Sequence, residues 1–197
     1  PSEILVLADG GCNPAWVAAD LLSQAEHGSG LEQAVLVTTD RAMIDRVEAA
    51  FQRQKATLPK LATVERVEAR GIFLIHVADL EQAARVASAY APEHLILSVE
   101  DPWAVAERIT AAGSVFLGNY TPESAGDYAS GTNHTLPTYG WARSMSGVNL
   151  DSFLRKITYQ QITPDGLRGL GPTIETMASA EGLDAHRNAV TIRLESL

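Results

Sequence analysis

The sequence predicts an α/β fold of three layers, α/β/α, around a mostly parallel sheet, with a small helical region at the C-terminus. Three observations point there. Short, unbroken apolar runs recur, as in strands buried on both faces. Helical stretches alternate with those runs up to about residue 119. Beyond it the alternation gives way to a long polar stretch and then to helical patterns alone.

The elements follow in order. "EILVLAD" (3–9) reads as a buried strand. Asn13 and Pro14 read as the cap and first residue of a helix that runs to a stop at Gly28. "QAVLVTTD" (33–40) is a second strand, and 41–58 an amphipathic helix ended by Pro59. "GIFLIHV" (71–77) and "HLILSV" (94–99) are strands separated by a helix over 78–91, which Pro92 ends. A helix over 102–113 and a strand "SVFLG" (114–118) complete the alternation, which implies a mostly parallel sheet. Residues 119–150 read as loop, and "DSFLRK", "GPTIETMASAEG" and "DAHRNAVTIRLESL" as helical. The division expected is 1–148 for the α/β part and 149–197 for the helical part, which is too small for a core of its own.

The composition excludes several function classes. A net charge of −9 over 197 residues argues against nucleic acid and anionic membranes as partners. No run approaches the roughly 18 apolar residues of a spanning helix. "PSEILVLAD" lacks the basic region and cleavage site of a signal peptide, and the single cysteine, Cys12, suits the cytoplasm. The chain begins at Pro1 rather than Met, as a fragment or a processed product does. Neither a G-x-G-x-x-G nor a P-loop motif is present.

Several residues have the chemistry of a site. Gln24 and His27, three apart at a helix end, share a face. They form half a zinc site, or else His27 simply sits at the negative end of the helix dipole. Glu93 and His94 adjoin a strand start, where they could serve separate proton transfers or form a polar entrance. Asp127 and His134 lie in "GDYASGTNHTLPT" (126–138), a run crowded with polar groups that reads as loop and offers a carboxylate and an imidazole. Glu181 and His186 flank a helix break at Gly182, on what could equally be a solvated face. Cys12 precedes a helix N-terminus, where a thiolate is favoured and a nucleophile is conceivable. His76 reads as a structural or surface histidine.

Taken in order, "PSEILVLAD", "DLLSQAEHG", "APEHLI", "GSVFLG", "TPESAGDYASGTNHTLPT" and "ETMASAEGLDAHRNAVTIR" resemble the C-terminal half of histidinol dehydrogenases. The resemblance implies an incomplete Rossmann-like, aldehyde-dehydrogenase-like domain. It implies zinc- and NAD+-dependent oxidation of L-histidinol to L-histidine through an aldehyde. On that resemblance Gln24, His27, Asp127 and His186 are the zinc ligands and His94 is the general base. Glu93 activates water, and Ser2, Tyr128, His134 and Glu181 line the substrate with the metal ligands. The resemblance also implies a homodimer whose C-terminal part reaches the neighbouring active site, and an NAD+ site largely outside this chain. A dehydrogenase of another small alcohol, a non-catalytic zinc-binding or assembly module, and a Cys12-dependent aldehyde dehydrogenase are the alternatives.

Overall fold

A computed structural model describes residues 1–197. Nothing in it is a helix long and apolar enough to cross a membrane. The chain forms two compact units, Pro1–Phe153 and Leu154–Leu197, where the sequence suggested a division after residue 148.

The first unit is built on five strands: β1 (Glu3–Ala8), β2 (Gln33–Thr38), β3 (Ile72–His76), β4 (His94–Ser98) and β5 (Ser114–Leu117). All four pairings are parallel, and the spatial order is β3-β2-β1-β4-β5. That is the order of a doubly wound sheet, with β1 at its centre. Every residue of β1 is buried. Ile4, Val6 and Ala8 face one layer with Leu36, Ile96 and Phe116, while Leu5 and Leu7 face the other with Val35, Leu95 and Leu97. This two-sided burial explains why the strands read as continuous apolar runs.

Helices α1 (Pro14–Ala25), α2 (Arg41–Lys55) and α3 (Leu61–Gly71) cover the first face, and α4 (Leu80–Tyr90) and α5 (Pro102–Ala106) the second. Their starts are set by side-chain caps. Asn13, Asp40, Asp79 and Asp101 accept from the N–H groups of Ala15, Ala42, Gln82 and Ala104. A short helix, α6 (Glu123–Tyr128), follows β5, and two 3-10 turns lie at Trp141–Arg143 and Leu150–Phe153.

Several sequence expectations are corrected. Helix α1 ends at Ala25, and Gly28 lies beyond it with φ +96°. Helix α3 was not foreseen. Its Val64 and Val67 are buried, and Lys55 and Gln52 of α2 both reach its Glu68. The helix expected over 102–113 is one short turn ending at Ala106. The stretch taken as loop from 119 contains α6, so the polar run at 126 begins inside a helix. "DSFLRK" is helical only to Phe153.

The second unit is the antiparallel pair α7 (Pro164–Ala180) and α8 (Asp184–Leu194), turned by Gly182 at φ +72°. Helix α7 starts earlier than expected, because Thr163 caps it and Gly171-Pro172 lies within it. Leu194 packs where a side chain at Gly171 would stand. Only Gly171 and Ala178 are buried within the two helices.

One glycine joins fold to site. Gly113 starts the approach to β5, and a Cβ there would stand 2.5 Å from the carbonyl oxygen of Glu93. Gly113→Ala should therefore lower the stability of the chain by about 1–3 kcal/mol, measured as a shift in the urea midpoint.

Candidate functional site

The site is assembled where β1 and β4 begin. Parallel register sets Ile4 beside His94, so the residues before each strand meet at the same edge. Helix α4 closes with Ala91 in the left-handed region (φ 56°), and Pro92 follows. This turn delivers Glu93 just outside the strand and His94 as its first residue. The two therefore need not share a strand face.

Glu3 holds both. Its N–H donates to Glu93 Oε2 at 2.9 Å, and its carbonyl accepts from His94 Nδ1 at 3.1 Å. Ser2 Oγ also donates to Glu93 Oε2, at 2.6 Å. The Glu3 carboxylate accepts from the N–H of Tyr139 at 2.7 Å and so ties down the segment after the polar run. Burial raises the pKa of the Glu3 carboxyl, the Tyr139 N–H opposes that, and the neighbouring Glu93 adds to it.

A carbonyl can only accept, so the bond to Glu3 places a proton on His94 Nδ1 and leaves Nε2 with its lone pair. His94 is 3% exposed and lies on the face of β4 that also carries Ile96, near the Phe116 ring. Its Nε2 looks towards Glu123 Oε1 across 3.7 Å. Glu123 Oε2 accepts from Ser23 Oγ of α1 at 3.2 Å, which joins α6 to the last turn of α1. Four residues further on from Ser23 and Glu123 stand His27, just past the end of α1, and Asp127 within α6.

Candidate metal donors lie on these elements. Gln24 is fully buried, yet neither its amide oxygen nor its nitrogen has a hydrogen-bond partner. A buried unpartnered amide is costly, and a ligand that uses it removes the cost. His27 is exposed, with Nδ1 3.2 Å from the Ser23 carbonyl oxygen. That bond orients the ring with Nε2 available, as in metal-ligating histidines. Ligand atoms of His94, Glu123 and Asp127 all lie within 4.8 Å of one another. A neutral amide oxygen, an imidazole and carboxylates suit a divalent cation such as zinc, and these residues fit one.

Crowded carboxyls shift upward. Burial, followed by the nearby Glu123, raises Asp20 to about 7. Burial raises Glu123 too, with His94 opposing the shift and Asp127 adding to it.

Other expected residues fall elsewhere. Tyr128 and His134 are exposed. Glu181, at the end of α7, and His186, on α8, are exposed in the second unit. His76, at the end of β3, is also exposed. Cys12 departs from expectation: burial, with the Asp9 charge, raises its thiol to about 11, so no thiolate is favoured there. It donates to the Asp9 carbonyl and lies against Met43. At the carboxyl edge of the sheet, Asp9 accepts from the N–H groups of Gly11 and Glu100 at 2.9 and 2.7 Å. Glu3, Ser23 and Glu123 were missed in the sequence. Glu123 had a readable signal, since it stands four residues before Asp127, but that spacing carries meaning only on a helix.

Fold and site together define a doubly wound α/β protein with buried carboxyl and imidazole groups at the amino edge of its sheet. A profile of the histidinol dehydrogenase family matches residues 1–194. The chain is 56% identical over 197 residues to "Histidinol dehydrogenase" of Bacteroides thetaiotaomicron, covering all of this chain and 46% of that one. It is 48% identical to the chloroplastic histidinol dehydrogenase of Arabidopsis thaliana, covering 42% of it. The crystal structure of histidinol dehydrogenase from Elizabethkingia anophelis superposes with a TM-score of 0.92 at 49% identity, over all of this chain and 45% of that one. This chain belongs to the histidinol dehydrogenase family. It spans about half the length of the relatives it matches and corresponds to their C-terminal part.

The raised Asp20 makes a prediction about pH. Its folded pKa of about 7 lies above its ordinary 3.8, so its contribution to stability is full below the ordinary value and is lost as pH rises through 7. In chelator, the melting temperature of the native chain relative to Asp20→Asn should be higher at pH 4.5 than at pH 8, read by thermal scans of both proteins.

Proposed function

We propose that this chain carries the catalytic centre of an enzyme that oxidises L-histidinol to L-histidine through the aldehyde, the last step of histidine biosynthesis, with two NAD+ as hydride acceptors. The observation that carries the reading is the meeting of His94, Glu93 and the α6 carboxylates around the start of β1, with α1 tied to them through Ser23. Gln24, His27, Asp127 and His186 would hold the zinc. Bound there, zinc would hold the substrate's nitrogens and neutralise charge.

The chain's own groups supply the proton transfers. His94 presents the Nε2 lone pair, in a tautomer fixed by Glu3, and takes the alcohol proton as hydride leaves. Glu93, anchored through Oε2 by Ser2 and Glu3, keeps Oε1 to take a proton from the water that attacks the aldehyde. Ser2 thus acts on substrate from behind Glu93 as well as lining the pocket. Tyr128, His134 and Glu181 complete the substrate contacts.

His186 and Glu181 would come from a second copy in a homodimer. The sparse interior of the α7–α8 pair supports this, since Leu170, Met177, Leu183 and Ile192 are exposed on it. A cytoplasmic location accords with the single cysteine held as a buried thiol. NAD+ would be held largely by the region that the relatives carry before this chain.

The assignment is tested in the complete enzyme, meaning this chain joined to that preceding region. His27→Ala should lose zinc and activity together, by elemental analysis and by NADH formation. His94→Ala should keep about one zinc per chain, while turnover falls roughly 100-fold or more. Zinc lost with His94 and retained without His27 would transfer the metal to the His94, Glu123 and Asp127 set.

A further inference from the structure

We infer that Glu123 is a positioning residue for His94, holding the imidazolium that forms once Nε2 has taken the substrate's proton. The inference rests on the reading of His94 as the base.

The proton acquired by His94 can go only to Nε2, because Nδ1–H is already committed to the Glu3 carbonyl. Facing Nε2 is Glu123 Oε1, 3.7 Å away. The Glu123 side chain is buried, and neither of the facing atoms has a hydrogen-bond partner. With Glu123 ionised, the Nε2 lone pair opposite its oxygen is an acceptor–acceptor contact, which cannot close. Protonation of Nε2 turns the same contact into donor and acceptor, and a charge-assisted hydrogen bond becomes available.

Packing does not account for this carboxylate. The link between α6 and α1 uses Oε2, through Ser23. Oε1 has no hydrogen-bond partner, and burying a charged carboxylate oxygen unpartnered carries a penalty that a neutral side chain of the same length would reduce. Asp127, the other α6 carboxylate, is assigned to the metal, which leaves Glu123 to the imidazole.

The test is Glu123→Gln in the complete enzyme, which keeps the length and an acceptor for Ser23. Turnover should fall roughly 10–100-fold, the usual effect of losing such a partner. Zinc content and the calorimetric affinity for histidinol without NAD+ should stay within about twofold, because neither depends on the imidazolium. Glu123→Asp should recover part of the loss, since it restores the charge. The double variant with His94→Ala should be no slower than His94→Ala alone. Unchanged turnover in Glu123→Gln would overturn the inference, as would parallel loss of zinc, which would make Glu123 a ligand. An Asp variant no better than Gln, with both melting lower, would reduce the residue to packing. If His94→Ala itself retained turnover, the base assignment would fail first, whatever Glu123 did.

Discussion

The main chain of Glu3 is the constraint on which the site depends. One peptide unit fixes the Glu93 carboxylate through its N–H and the next sets the tautomer of His94 through the Glu3 carbonyl. Main-chain groups in a central strand have little freedom, because the strand is paired on both sides and buried on both faces. Register is what makes the arrangement work. A slip of β4 by one residue against β1 would turn His94 to the α4 face and away from Glu123. The aliphatic residues that enforce the register, Ile4, Leu5, Leu95 and Ile96, thus do as much for the position of the imidazole as any polar group.

Most of the sheet was legible because its strands obey a simple rule. Buried parallel strands are short apolar runs, and helices with Asp or Asn caps lie between them. Legibility failed where tertiary contacts outweigh local pattern. Helix α3 has only two deeply buried valines and depends on Glu68 meeting Lys55 and Gln52 of α2. The polar run at 126 showed no apolar period because the inward face of α6 is built from Glu123, Gly126 and Asp127 rather than hydrocarbon. A helix whose buried side is polar does not have the sequence grammar of an amphipathic helix.

The site residues divide in the same way. Gln24, His27, Glu93, His94 and Asp127 could be singled out as chemistry-bearing types, and the structure supplies the elements that bring most of them to one edge. What the chain could not reveal was the supporting set. Ser23 and Glu3 act through a hydroxyl and through backbone atoms, which carry no distinctive residue pattern. Glu123 became visible only when its partner 100 positions away in sequence, Ser23, was known.

The opposite edge of the sheet gives the fold a further property. In doubly wound sheets, nucleotide phosphates are usually bound outside the carboxyl ends of the strands, at the switch in strand order, by free backbone N–H groups. Between β1 and β4 that position already holds an anion of the protein's own. The Asp9 carboxylate takes the N–H of Gly11 with one oxygen and that of Glu100 with the other, and Asp40 stands close by Gly10. An incoming phosphate would meet like charge and donors already engaged. Asp9 thus fills that position with a carboxylate of the chain's own, while the candidate site lies at the amino edge.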